Sequence, residues 1–278
     1  MSGWLAGFAF LAALSWGVQS LALVDHLVAG RWLGVARPVL RALAPLGLAL
    51  PVLFLPIAVD ARALYPDHES LLAFLLRSTL VLAAHCIVTI AWLRSDASAS
   101  RNVALGSAGL IVTFVASSVG AFDWFMARTP HWHSTIFGLV VLWSGVASAV
   151  GVVAIAEAKH AHERDRVDIA TWLFAAVFFW GYLAFAELLI LWIANVPREV
   201  LFYTLRFERG CIPFAIGAGA LGFTVPFFAL LFRRLKKSAR AVVTLGVVVV
   251  VGQASAALWW IAPDLAHGPA VTDILGFA

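Results

Sequence analysis

Eight separate stretches of this chain are each about as long and as apolar as a bilayer crossing requires, and that feature decides the fold class. They run over 4–23, 42–59, 71–93, 103–122, 135–156, 169–194, 211–232 and 241–262. A crossing helix takes about 20 predominantly apolar residues. Lipid offers no partner to a backbone N–H or C=O, so such stretches must close their hydrogen bonds internally, as helices. The expected fold is all-α: a polytopic membrane protein of about eight transmembrane helices, one integral membrane domain over 1–278. Composition agrees, because 12% of the residues are charged where a soluble domain carries about 25%. The N-terminus lacks the basic region of a cleaved signal, and its apolar run is long enough to span.

The second run holds Pro45, Pro51 and Pro56, and the seventh holds Pro213 and Pro226. Each removes a helical N–H, so kinks are expected in both. The segment 24–41, VDHLVAGRWLGVARPVLR, mixes apolar and basic residues and reads as an interfacial helix with a break near Gly30.

Loop charges orient the chain. The loops 24–41, 94–102, 157–168 and 233–240 carry 13 Lys and Arg, against five in the termini and the loops 60–70, 123–134 and 195–210. The basic side is expected to be cytoplasmic, which puts both termini in the periplasm of a bacterial inner membrane. A net charge of +4 spread over juxtamembrane loops is no nucleic-acid signal. RRLKK at 233–237 reads as an orientation signal gripping anionic lipid. The HxH of EAKHAHERDRVD (157–168) lies in a run of alternating charge, a solvated loop and not a metal site. Cys86 and Cys211 give no disulfide framework and no metal spacing, and there is no CxxCH for covalent haem. Any electron-carrying centre must belong to a partner or to a dissociable ligand.

Ionisable residues gather at one place, the hairpin 119–139, VGAFDWFMARTPHWHSTIFGL. Asp123 and Trp124 close the fourth run. His131, Trp132 and His133 open the fifth, with Ser134 and Thr135 as N-cap candidates. The two tryptophans suit an interfacial belt. An outward Asp with two histidines can exchange protons near neutral pH, which a quinol site would require of a proton acceptor beside an apolar cleft.

Within the spans, an ionisable side chain costs about 2.5–3.5 kcal/mol at mid-bilayer and so asks for a partner or a role. Arg77 and Glu187 each lie about 10 Å below the outer ends of their helices, at about 1.5 Å per residue, and carry opposite signs. The expectation is that they pair beneath the hairpin. His85 lies about two turns deeper than Arg77. A haem ligand would need a second histidine at matching depth, so a polar helix contact or a relay to Glu187 is the reading. The proton-transfer set is therefore Arg77, His85, Asp123, His131, His133 and Glu187, and the quinone-contacting set Asp123, Trp124, His131 and Trp132. No catalytic residue and no metal ligand is assigned.

DWFMARTPHWHSTIFG (123–138) resembles the DW-M-x-x-x-PHW-x-STIFG signature of the second polytopic subunit of alternative complex III, a quinol:cytochrome c oxidoreductase whose membrane subunits are of the polysulfide-reductase/NrfD type. FFWGYLAFAELLILWIANVPREVLFY (178–203), VPFFALLFRRLKK (225–237) and LPVLFLPI with LYP (50–66) are similar to other stretches of that subunit. The resemblance spans most of 37–264. It implies four-helix bundles, no covalent cofactor, a quinol or quinone as ligand, and as partners a paralogous quinol-binding subunit, an iron–sulfur subunit and multihaem c-type cytochromes. The chain departs from the family in having eight runs, not about ten, in Glu187 where the family commonly has Gln, and in a more basic turn at Met126-Ala-Arg128-Thr. A stand-alone transporter with a polar site around Arg77, His85 and Glu187, and a scaffold subunit with purely structural charges, remain as alternatives.

Overall fold

Each apolar run forms a helix in the structure, a computed structural model that describes residues 2–28, 31–65, 70–95, 102–129, 132–194 and 196–265. The helices are α1 Ser2–Leu27, α2 Arg31–Val59, α3 Leu71–Arg94, α4 Val103–Trp124, α5 Phe137–Glu157, α6 Glu163–Ala194, α7 Pro197–Glu208, α8 Ile212–Leu231 and α9 Ala239–Leu265. Eight of the described helices are long and apolar enough to cross a membrane, whereas α7 and the single-turn helices Ala61–Leu64 and Arg233–Lys237 are too short. This is an all-α, multi-pass membrane protein. Antiparallel alternation puts the hairpin, α7, the start of α1 and the end of α9 at one end of the molecule.

Residues 24–41 do not form one interfacial helix. α1 ends at Leu27, and 31–41 are the first turns of the 29-residue α2. The reason is an unbroken stripe: Leu33, Ala36, Leu40, Ala44, Gly47, Leu50, Phe54 and Ile57 are buried at three- and four-residue spacing along α2. Pro38, Pro45, Pro51 and Pro56 all lie inside this helix, yet none of them falls on the buried stripe. Across the turn, Arg37 binds Asp25 at 2.6 Å, which spends two of the loop charges on joining α1 to α2. The break near Gly30 lies outside the described residues.

Proline acts more visibly in α8. Pro226 has no N–H for the carbonyl of Gly222, and its ring crowds that carbonyl. The helix answers with a π turn over Ala220–Thr224, where the Thr224 hydroxyl donates to Gly219 O at 3.0 Å. The turn sets Gly222 against the backbone of Gly252 on α9, and Phe223 against Gly181 on α6. A Cβ at Gly252 or Gly181 would overlap its neighbour.

The helices pack as two rings of four, α1–α4 and α5, α6, α8, α9, joined chiefly where α1 meets α5. These two are the central helices: 78% and 72% of their apolar stretches are buried in protein, against 22–44% for the other spans. Helices in lipid gain most by close backbone approach through small residues. At the seam, Gly17 and Gly145 bring the backbones of α1 and α5 into contact, with Ala13 O against Gly145. Gly145→Val would force the seam apart, at about 1–3 kcal/mol or more where backbone is the neighbour. The expected result is loss of the monodisperse protein in detergent, while Gly7→Val, at a glycine with open space around it, runs as the wild type.

Candidate functional site

The polar residues named from the sequence divide between the two rings. In the first ring, Arg77 forks onto Asp123: Nε donates to Oδ2 at 2.7 Å and Nη2 to Oδ1 at 3.1 Å. The expected Arg77–Glu187 pair is therefore replaced by Arg77–Asp123. α3 and α4 are neighbours in one ring, whereas Glu187 belongs to α6 in the other. The pair is stable where it is, because the planar guanidinium meets both carboxylate oxygens. Arg77 keeps 42% of its side chain exposed and Asp123 only 15%, so a double-mutant cycle reads the fork cleanly. Arg77→Leu and Asp123→Leu should each weaken the fold, and together should weaken it less than the sum, with a coupling on the order of 1 kcal/mol. Additive effects in unfolding measurements in bicelles would remove the fork from the fold's energetics.

Trp124 is no belt residue. It is fully buried, its indole N–H donates to Ser78 Oγ at 2.8 Å, and its carbonyl accepts from the Tyr65 hydroxyl at 2.8 Å. Its ring stacks on Trp16 at 5.7 Å and meets Phe8 edge-on. Trp132 is buried as well, 3.9 Å from Phe202 in a stack. Belt anchoring fails for both because the hairpin folds inward over the ring ends instead of lying along the lipid surface.

His85 sits in a closed network. Nδ1 faces Gln19 Oε1 at 2.9 Å and Nε2 faces Ser15 Oγ at 3.2 Å. Gln19 Nε2 donates to Thr89 Oγ1 and to His85 O, and the Thr113 hydroxyl donates to Gln19 Oε1. The ring has both nitrogens engaged within the first ring of helices, so His85 fixes the register of α1, α3 and α4 and is not brought to Glu187.

The second ring holds the site. Glu187, 7% exposed on α6, lies beside Ser134 of the hairpin, and its Oε1 has no hydrogen-bond partner. Ser134 and Thr135 do not cap α5. That helix starts after Ile136 with no side-chain cap, and the Ser134 side chain turns to Glu187 instead. Beside Glu187 lies a cavity of about 270 Å³ walled by Trp180, Phe202, Tyr203, Phe223, Trp259 and Trp260, among others. Its rim includes Phe185 and Leu188, 61% and 42% exposed on the flank of α6, so an apolar molecule could enter from the side. The volume approaches the lower end of the roughly 300–1,000 Å³ common for small-molecule sites.

Arg206 on α7 builds the outer wall. It is 0% exposed and donates to three carbonyls: Nη1 to Phe202 O at 2.7 Å, Nη2 to Trp260 O at 2.8 Å, Nε to Trp259 O at 2.9 Å. Its guanidinium lies 3.4 Å from the Phe202 ring centroid. Proline at 263 cannot donate to the carbonyl four residues back, that of Trp259, and Arg206 supplies the missing donor. Tyr203, next to both Arg206 and Glu187, has its phenol pushed above the ordinary tyrosine value, first by burial and then by the Glu187 charge. It stays a neutral hydroxyl at any physiological pH.

Of the sequence-named residues, Glu187 and Trp132 thus belong to the second ring, Arg77, His85, Asp123 and Trp124 to the first, and His133 is exposed on the hairpin. His131 lies outside the described residues. Arg206, Tyr203 and Trp180 were not singled out by the sequence. A spacing of four between Phe202 and Arg206, in a segment bounded by two spans, was the available signal for a helix with a buried arginine. Among the described residues no group of His, Cys, Asp and Glu could hold a metal ion. No protein-family model matches the chain, and no curated protein matches it at a significant level.

Proposed function

We propose that the chain is a membrane subunit of a quinol-oxidising electron-transfer complex, and that the Glu187 cavity is where it meets quinol. The observation that carries this reading is a buried carboxyl oxygen without a hydrogen-bond partner at the end of an aromatic cavity that opens on the helix flank. A quinol suits such walls: its ring packs on aromatic faces and its hydroxyl can donate to Glu187 Oε1. Quinol oxidation releases two protons and two electrons. Glu187 accepts the proton of the hydroxyl facing it and hands it on past Ser134 toward the exposed His133, at the molecular end that the charge bias assigns to the periplasm, and the second proton leaves through the same carboxyl once the ring has turned its other hydroxyl to it. The electrons go to an iron–sulfur or c-haem centre on a partner, because this sequence carries no covalent haem motif. Asp123 and Trp124, engaged by Arg77 and Ser78, drop out of the quinone-contacting set.

A transporter is the second reading, favoured by the π turn of α8 next to the cavity, since broken helices and paired bundles are transporter features. Gentle isolation from the native membrane distinguishes them. Copurifying c-type haem and bound quinone are expected. A chain that purifies alone and moves a solute in vesicles would replace the first reading by the second.

A further inference from the structure

Glu187 is not the cavity's only buried polar group without a partner. Trp180 lines the same cavity, is 5% exposed, and its Nε1 has no hydrogen-bond partner. Gln253 on α9 is 0% exposed, and neither its amide nitrogen nor its amide oxygen is bonded. The two side chains flank one residue: a Cβ at Gly222 would meet Gln253 Nε2 at 3.2 Å and Trp180 Cζ3 at 3.2 Å. The π turn places Gly222 there, and only a residue without a side chain lets the amide and the indole come together. Buried donors and acceptors are almost always satisfied in folded proteins, so the two orphans that line one cavity, Glu187 Oε1 and Trp180 Nε1, point to a polar group supplied from outside the chain, while Gln253 packs behind Trp180 and does not line it.

Glu187 and Trp180 are seven residues apart on α6, so they share a face, one about 10 Å along the helix from the other. A six-membered ring with oxygens at opposite ends, hydrogen-bonded at about 2.8 Å on each side, spans a length on the order of 10 Å. We infer that the cavity has two poles: Glu187 for the near oxygen of a para-substituted quinol or quinone, and the Trp180 indole N–H for the far one. This rests on the quinol reading above and adds the ligand's orientation. The inner pole serves both redox forms. The indole N–H donates to the far oxygen in either state. A monofunctional phenol or a long-chain fatty acid can satisfy one pole only, so the site selects for rings oxygenated at both ends.

The test is infrared difference spectroscopy of the full chain, isolated from its membrane with its natural partners, loaded with a short-chain para-benzoquinone carbon-13-labelled at one ring carbonyl. In the wild type both carbonyl bands should lie below the free-carbonyl position. Trp180→Phe, which keeps the ring and removes the donor, should return one band to the free position and weaken quinone binding about tenfold. If that variant does not fold, the shift of the indole N–H signal of nitrogen-15-labelled tryptophan on quinone binding to the wild type reads the same contact. Glu187→Gln, whose amide still bonds the near oxygen, should leave that far band in place. A far band unmoved in Trp180→Phe, or no indole N–H signal shifted in the wild type, overturns the two-pole site while quinone binding itself stands. A wild-type chain that shows no saturable quinone bands overturns the quinol reading instead.

Discussion

Glu187→Gln should lower quinol-dependent turnover of the assembled complex by about 100-fold or more, the scale of a general base, with the protein still folded. The substitution keeps the shape of the side chain and its place beside Ser134, so the cavity should survive. What it removes is the ability to take a proton. An effect of this kind appears in kcat, with KM for quinol nearly unchanged, because ground-state packing of the ring on Trp180, Phe202 and Trp259 is untouched. Arg77→Leu provides the contrast. Its partner is Asp123 in the other ring of helices, so it should weaken the fold while leaving turnover per folded complex near the wild type. Turnover of Glu187→Gln within about threefold of wild type would exclude the carboxyl as proton acceptor. A large loss in Arg77→Leu at full folding would return the hairpin to the proton path.

The difference between those two arginine and glutamate sites shows what could be read from the chain and what could not. Eight spans were legible because each is a continuous run whose length meets a fixed physical thickness. That Arg77 and Glu187 are unusual was legible too, since each is ionisable within an apolar run. Their partners were not. Depth along a helix follows from counting at a constant rise, but which helices are neighbours depends on how small residues let backbones meet. Gly17 and Gly145 make α1 and α5 the seam, and this separates α3 from α6. Equal depth then says nothing about contact. The aromatic wall escaped for a related reason. Trp124, Trp132 and Trp260 lie close to span ends, where tryptophan is expected as an anchor, and only the inward fold of the hairpin and of α7 makes them core. The interfacial reading of 24–41 failed differently: charge pattern dominated it, while the buried stripe of α2 continues through Leu33, Ala36 and Leu40.

Arg206→Leu should be the most damaging single change in the second ring. The side chain is wholly buried and holds three carbonyls, and one of them, that of Trp259, has lost its helical donor to proline. A leucine would fill much of the space but strand the Trp259 carbonyl, while those of Phe202 and Trp260 keep their helical donors. A stranded acceptor costs about 1–3 kcal/mol, and a loss at the upper end of that range is expected because the stack on Phe202 goes with it. Arg206→Lys should rescue only part of it, because an ammonium is compact and cannot fork across carbonyls on two helices while stacking on Phe202. The change would reach the site as well. Without Arg206, α7 loses its bond to α9, and Phe202 and Tyr203, which wall the cavity, lose their anchor. Quinone affinity should therefore fall together with thermal stability, measured by dye-reported unfolding of the purified protein. An Arg206→Leu protein with the wild-type melting point would mean that α7 is held by something other than this guanidinium, and the cavity would then have no fixed outer wall.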